Sequence, residues 1–381
     1  VIKLAWVVAA AAVAVPGTAA AQSCPAGAVY PEAQWEDRSA ETKSSRPEAV
    51  AMLDAWAFTL TGKDEERLGL RTDGLLVLQD GRVLYERYGR GFGPGNKHLL
   101  WSVTKTLTGL MTAVALKQGA LGLEDSICKH RKDVPEASCG VTVRHLLQMS
   151  SGFDWAEEYE DGEYQESSVL AMLYGQGRKA VVPFVASHAI TPAPGKRFHY
   201  STGESHLLMG VVRGALRAAH GEQFPWTLLF DKIGVSSLTW ERDLAGDFHG
   251  GSFGYLTPRD MARVGTLMLH DGCWKGERLL PEGFMDNART VNVPFKTTPL
   301  QDNTAYGWQI WLNQPVPEVG LGIPFPDAPL DTFMAAGHWG QYIVVVPSRN
   351  MVIIRTGDDR AKVPNKVNDL IKHSLALGVV P

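Results

Sequence analysis

A serine followed three positions later by a lysine, Ser102-Val103-Thr104-Lys105, is the spacing in this chain best suited to nucleophilic chemistry. A hydroxyl at its ordinary pKa is a poor nucleophile and needs a neighbouring base. On a helix, side chains three residues apart share a face, with about 5–6 Å between their Cβ atoms. Ser102 would fall in a first helical turn, where unpaired N–H groups and the helix dipole favour developing negative charge. A lysine buried there loses proton affinity by desolvation and can take up the serine's proton. The same spacing recurs at Ser126-Ile127-Cys128-Lys129, without an apolar helix to carry it. Ser102 follows a glycine-rich loop (Gly89, Gly91, Gly93, Gly95) and heads a strongly apolar segment. Another serine, in Gly250-Gly251-Ser252-Phe253-Gly254, has the letters of a nucleophile elbow, which requires a strand directly before it and a helix directly after. The text from Glu241 to His249 is polar and irregular, and Tyr255 to Pro258 delays any helix, so Ser252 is not expected to serve.

The elements that must position Ser102 are legible on both sides of it. Leu75-Leu76-Val77-Leu78 and Val83-Leu84-Tyr85 flank Asp80-Gly81, which predicts a β-hairpin. From Ser102 to Lys117 the apolar positions Val103, Leu107, Leu110, Met111, Val114 and Ala115 fit a buried helix. Further helices are expected over Val141 to Met149, His206 to Ala218 and Asp260 to His270, the last opened by Thr257-Pro258. Tyr342 to Val346 and Met351 to Ile354, joined through Pro347-Ser348-Arg349-Asn350, predict a second hairpin, and Val367 to Leu377 reads as helical. Strands at both ends with helices between them imply an α/β (α+β) domain built from both termini, with a helical domain inserted.

The chain has 381 residues, 45% hydrophobic and 20% charged, with a formal net charge of −4. That is ample for a buried core and offers no electrostatic footprint for nucleic acid. Near the start, Lys3 precedes an apolar run from Leu4 to Val15, then Pro16-Gly17 and Ala19-Ala20-Ala21. This is the pattern of a secretory signal peptide over residues 1–21, cleaved near Ala21. The apolar run is too short to span a bilayer, which takes about 20 residues, so no stable membrane insertion is expected after cleavage. Cys24 leaves a lipoprotein anchor as an alternative, although Gln22-Ser23 lack the small or aliphatic character expected before one. The expected location is the periplasm or the medium. In that oxidising setting Cys24, Cys128, Cys139 and Cys273 allow three pairings, of which Cys128 with Cys139 closes a short polar loop and is favoured. No Cys/His spacing resembles a zinc site and no cofactor signature occurs.

Taken in order, several segments resemble the serine β-lactamase and penicillin-binding-protein family. Ser102 to Lys105, then Tyr200-Ser201-Thr202, then His338-Trp339-Gly340 resemble its three motifs. Thr142-Val143-Arg144-His145-Leu146-Leu147-Gln148-Met149-Ser150-Ser151-Gly152, Pro194-Gly195-Lys196-Arg197-Phe198-His199, Thr257 to Arg263 and Tyr306-Gly307-Trp308 are similar to its intervening text. The resemblance runs from about Ala51 to the end. It implies a β-lactamase/transpeptidase-like fold: an antiparallel sheet flanked by helices plus an inserted all-helical domain. Residues 22–50 would form an N-terminal extension, with the α/β part over about 51–118 and 300–381 and the helical part over about 119–299.

The resemblance also implies roles. Ser102 would form an acyl-enzyme on a small-molecule ester or amide, with Lys105 and Tyr200 sharing the proton. His338 would sit on an edge strand lining the cleft, and the N–H groups of Ser102 and Gln341 would hold the oxyanion. Gly340 would let substrate approach the backbone. β-Lactamases of this kind usually carry Asn where Thr202 stands and Lys where His338 stands, before bulky Trp339. The missing cation shifts the expectation from β-lactamase or D-Ala-D-Ala peptidase activity toward esterases and amidases, and the pattern looks closest to 6-aminohexanoate-dimer hydrolases. Asp154-Trp155-Ala156-Glu157-Glu158-Tyr159-Glu160-Asp161 resembles their acidic, aromatic cleft loop, with Tyr159 able to touch substrate. Trp155, Trp308 and Trp339 suggest an apolar cleft. A non-catalytic binding module on the same fold is the rival of another class; the intact Ser102, Lys105 and Tyr200 weigh against it.

Overall fold

The computed structural model describes residues 24–31, 34–160, 167–300 and 303–379; the expected signal peptide lies outside them. Seven strands form one antiparallel sheet: β1 (Thr72–Gln79), β2 (Arg82–Tyr88), β3 (Ala305–Tyr306), β4 (Trp311–Leu312), β5 (Phe333–Gly337), β6 (Gln341–Val346) and β7 (Met351–Gly357), in the order β2-β1-β7-β6-β5-β4-β3. The two hairpins expected from sequence are present. In the first, Asp80 and Gly81 both take positive φ, +51° and +73°, the backbone that a two-residue turn between twisted strands requires.

The strands at the sheet's centre read as nearly continuous apolar runs because both faces are covered. Leu76, Leu78, Ile343, Val345, Val352 and Ile354 enter the larger core; Leu75, Val77, Val344, Val346 and Ile353 enter a smaller one on the opposite face. Five helices matter most: α1 (Pro47–Phe58), α2 (Val103–Lys117), α3 (Thr202–His220), α4 (Pro258–Leu269) and α5 (Lys366–Leu375). The smaller core is closed by Val50, Leu53 and Ala57 of α1 and by Leu370 and Ile371 of α5. The larger is closed by α2 and α4. Every residue of α2 from Val103 to Ala115 is buried, so it runs through the core as a helix without a solvent face.

Between α2 and α4 lie short helices and α3, together with small strands where an all-helical insertion was expected. α4 departs from that division. It falls within the expected helical part, yet it packs on β6 and β7 of the sheet. The expected helix over Val141 to Met149 is only Val143–Leu147, opened by Thr142, whose side chain accepts from the His145 N–H. All four cysteines pair, Cys128 with Cys139 as favoured and Cys24 with Cys273 across 249 residues of sequence. No helix among the described residues is long and apolar enough to cross a membrane.

Candidate active site

Ser102 stands at the entrance to α2, directly after a strained residue. Trp101 has φ of +48°, a left-handed backbone that costs a bulky side chain roughly 1–3 kcal/mol. Its ring is packed edge-on against Trp339 at 5.1 Å and His338 at 5.5 Å, which holds the turn in place. One helical turn on, Lys105 is only 1% exposed, and its Nζ lies 2.7 Å from Ser102 Oγ. The same nitrogen is 2.8 Å from Thr202 Oγ1 and 3.0 Å from the Gly251 carbonyl oxygen. Burial pulls the Lys105 ammonium down to about 8, opposed in part by the Glu157 carboxylate.

Thr202 is brought to Lys105 by the start of α3. Ser201 is extended and caps this helix, its side chain accepting from the Glu204 N–H at 3.1 Å, so the first turn points Thr202 at α2. Tyr200, just before the cap, presents its ring 4.9 Å from Lys105 Nζ and stacks on Trp311 at 5.2 Å. Ser102, Lys105 and Tyr200 therefore converge on one place.

Ser102 and Tyr200 line a cavity of about 450 Å³ with Glu157, Tyr159, Trp311, Ala336, Gly337 and His338. Phe325, Met334, Tyr342 and Val367 add largely apolar lining. Within β5 only Phe333 and Met334 pair with β4, so among the described residues Ala335 to Gly337 have no strand partner on that side, and Ala336 and Gly337 line the cavity. Tyr159 stacks on His338 at 5.4 Å and reaches Thr202 Oγ1 at 3.2 Å; burial, reinforced by Glu157, pushes its phenol well above the usual range. Burial pushes the His338 imidazolium down against the Glu160 carboxylate 3.0 Å from its Nε2, which favours the neutral ring.

The third motif is placed differently from the expectation. His338, Trp339 and Gly340 form the turn between β5 and β6, not a strand, because Trp339 (φ +59°) and Gly340 (φ +97°) are both left-handed. Gly340 faces the protein interior: a Cβ there would lie 2.2 Å from Arg355 Nη1 and 2.5 Å from Asp359 Oδ2. Gln341 is fully buried, its side-chain amide spent on the carbonyl oxygens of His338 and Gly357, and it is not among the cavity-lining residues. His338 is what the turn contributes to the cavity, beside Gly337 at the end of β5. Trp155 and Trp308 are buried core residues; Trp311 is the tryptophan that lines the cavity.

Both rival serines have structural positions. Ser252 is wholly buried, preceded by a turn rather than a strand, so no nucleophile elbow exists. Ser126 does head a helix, contrary to the reading of its surroundings. It is a single turn, Ile127–His130, in which Ser126 Oγ accepts from the Cys128 N–H and donates to the Cys139 carbonyl, while Lys129 pairs with Asp125. Sequence reasoning missed Glu157 and Trp311 as parts of the site; nothing in the pattern separates Glu157 from its acidic neighbours. Among the described residues, no cluster of His, Cys, Asp and Glu could hold a metal ion.

An antiparallel sheet with helices on both faces, an inserted helical region and a serine–lysine pair at their junction define a β-lactamase/transpeptidase-like protein. Residues 59–372 match the family model described as Beta-lactamase, and the chain belongs to that family of hydrolases. It is similar to a 6-aminohexanoate-dimer hydrolase of Paenarthrobacter ureafaciens, 27% identical over 272 residues, 68% of this chain and 67% of the relative. Among solved structures, a penicillin-binding protein homolog from Caulobacter crescentus superposes with a TM-score of 0.62 at 15% identity, over 87% of this chain and 97% of the other. EstCE1, a hydrolase with promiscuous acyltransferase activity, gives 0.59 at 16% identity, over 88% and 98%. At those identities the likeness shows the fold.

Proposed function

We propose that this chain is an exported serine hydrolase that cleaves an uncharged ester or amide through an acyl-enzyme on Ser102. The observation that carries the reading is the 2.7 Å contact between Ser102 Oγ and the buried nitrogen of Lys105, whose pKa of about 8 makes it a usable base. As Oγ bonds to the substrate carbonyl carbon, its proton moves to Lys105. The proton then passes, with Tyr200 assisting, to the departing oxygen or nitrogen. Water attacks the acyl-enzyme, gives a proton to the same base and releases the acid, restoring Ser102.

The developing oxyanion needs two fixed donors. Ser102 N–H is one. The placement of Gln341 moves the other to His338, which lines the cavity beside Ser102; among the described residues, neither N–H has a backbone acceptor. The edge of β5 from Ala335 to Gly337 would align the substrate backbone.

Among the described lining residues none is Lys or Arg, and Glu157 places an acidic side chain in the cavity. A carboxylate-bearing β-lactam or peptide terminus would find no cationic partner there, whereas an apolar acyl or alcohol group fits against Phe325, Met334 and Val367. Export rests on the leader pattern and on two disulfides that use every cysteine, a feature of oxidising compartments.

The test is a panel of p-nitrophenyl esters of increasing acyl length, a linear amide and a chromogenic cephalosporin, run beside covalent labelling with a fluorophosphonate. Turnover of the longer esters, little of the cephalosporin, and labelling abolished by Ser102→Ala are expected. Labelling that survives Ser102→Ala overturns the reading.

A further inference from the structure

The hydroxyl of Thr202 is the crossing point of three groups behind the nucleophile. Its Oγ1 contacts Glu157 Oε1, Lys105 Nζ at 2.8 Å and Tyr159 Oη at 3.2 Å, while the Thr202 N–H donates to Glu157 Oε2 at 2.8 Å. Trp155 Nε1 also donates to that Oε2, at 2.6 Å. We infer that Glu157 is a positioning residue for acylation: by taking the hydroxyl proton of Thr202, it directs the lone pair of neutral Lys105 at Ser102 Oγ. This rests on the Ser102–Lys105 reading above.

The inference follows from counting protons. An ionised carboxylate only accepts, so the single proton of the Thr202 hydroxyl is committed to Glu157. The oxygen's lone pairs are then left to accept, from Tyr159 and from Lys105. A neutral lysine amine has two N–H bonds and one lone pair. Thr202 Oγ1 and the Gly251 carbonyl oxygen, 3.0 Å away, have no proton to offer and must each receive an N–H. The remaining direction holds Ser102 Oγ at 2.7 Å, so the lone pair faces the proton it must remove. If the Thr202 proton were free to turn, it could occupy that lone pair and leave Ser102 facing an N–H. The other titratable groups around the amine, besides Glu157 and Tyr159, are Tyr200 and the buried His206 of α3. Desolvation pushes His206 well below its ordinary value, and the His249 charge adds to that, so neither ring competes as a cation at working pH.

Glu157→Gln tests the relay because its orientation is forced. Two N–H groups face the Oε2 seat, so the amide oxygen must take it, which puts the NH₂ at Thr202 and reverses the chain. The second-order rate of Ser102 labelling is expected to fall at least about tenfold. The acid limb of its pH profile, near 8 in the wild type, is expected to move lower because the carboxylate no longer supports the ammonium. Thr202→Val should cost a similar factor, Thr202→Ser should restore labelling to within about threefold, and Glu157→Gln/Thr202→Val should be no worse than the worse single variant. Multiplying losses in the double variant, or Thr202→Ser as poor as Thr202→Val, overturns the relay. So does a Glu157→Gln profile with an unmoved midpoint and only a raised KM, which makes Glu157 a substrate contact. Labelling that survives Ser102→Ala is a different failure, that of the underlying nucleophile assignment. Should Glu157→Gln not fold, the Thr202→Ser and Thr202→Val pair decides alone.

Discussion

The floor of the cleft and its rim are held by different means. The floor is Ser102, at the N-terminal boundary of α2, with Lys105 and Thr202 in the first turns of α2 and α3, helices whose apolar residues and, for α3, cap lie nearby in sequence. The rim is the turn His338 to Gly340, partly exposed and fixed by residues remote from it. From below, Arg355 Nη1 donates to the Gly340 carbonyl at 3.0 Å and the Asp359 N–H donates to the Trp339 carbonyl at 3.0 Å. Arg355 and Asp359 are an ion pair with side chains wholly out of solvent, joined by Lys366 at 3.1 Å and the Arg71 N–H at 2.7 Å. From above, Glu160 accepts from His338 and Trp339 on the open side. Local devices suffice to aim a nucleophile. Holding a separate strand turn, the one proposed to carry the oxyanion donor, takes a buried, long-range brace.

The largest effect should come from the floor. Lys105→Met keeps the packing volume and removes the base, so acylation of Ser102 is expected to fall by about 10²–10⁴ in stopped-flow labelling, with little change in the unfolding midpoint. On the proposed mechanism the base is the unprotonated lysine. Acylation should therefore rise with pH through about 8, where half the Lys105 population has lost its proton, and flatten above that value. A pH-independent rate between 6 and 10 would remove Lys105 from the reaction.

The rim's brace should show in stability as well as rate. Asp359→Asn leaves Arg355 buried without its counter-charge, and breaking one partner of such a pair costs about 3–5 kcal/mol. Urea unfolding should read most of that loss. Any variant folded at low temperature should also acylate more slowly, because the donors to the Trp339 and Gly340 carbonyls are no longer held in place by the ion pair. Unchanged acylation in folded Asp359→Asn would mean that the brace supports the fold without aligning the donor.

What could be read from sequence follows the same division. The serine–lysine spacing and the apolar α2 are local patterns, and the structure has both; α3 was expected from His206, and its start at Thr202 behind the Ser201 cap, which brings Thr202 to Lys105, was not read. The third motif was legible as letters but not as geometry: His338 to Gly340 look like a strand entrance, and only the left-handed φ of Trp339 and Gly340 turn them into a corner. Gln341, the residue that sequence placed at the oxyanion, consequently lies inside the sheet, and His338 lies at the cavity. Tryptophans illustrate the limit again. Trp155, Trp308 and Trp311 are chemically alike, and only tertiary packing sends the third to the cleft.

A smaller effect separates the floor's helix from its chemistry. Glu204, in the first turn of α3, is wholly buried with a Ser151 N–H at 3.3 Å, and burial pushes its carboxyl up to about 8. The unfolded chain loses this proton near the ordinary 4.5, whereas the folded protein keeps it until about 8. Stability should therefore fall as pH rises between those values and level off above. Glu204→Gln has no proton to lose, so its advantage over the wild type should grow across the same window, to on the order of 1–3 kcal/mol at pH 8. An equal difference at pH 5 and pH 8 in chemical unfolding would show that the carboxyl ionises in the folded state as it does in water.

The smallest effect should be at the rim's outer side. Glu160 touches His338 and Trp339 at 3.0 Å each, which on distances alone rivals the contacts of Asp359. Its side chain is 55% exposed, however, and water competes for every bond it makes. Exposed pairs of this kind contribute about 0–1 kcal/mol. Glu160→Gln also keeps an oxygen for the Trp339 indole, so stability should shift by less than about 0.5 kcal/mol and kcat/KM on a neutral ester by less than about threefold. The contrast with Asp359→Asn, the same chemical change on the buried side of the same turn, isolates burial as the variable. A tenfold loss in Glu160→Gln, with Asp359→Asn mild, would invert the comparison and place control of the turn in the acidic loop over the cleft.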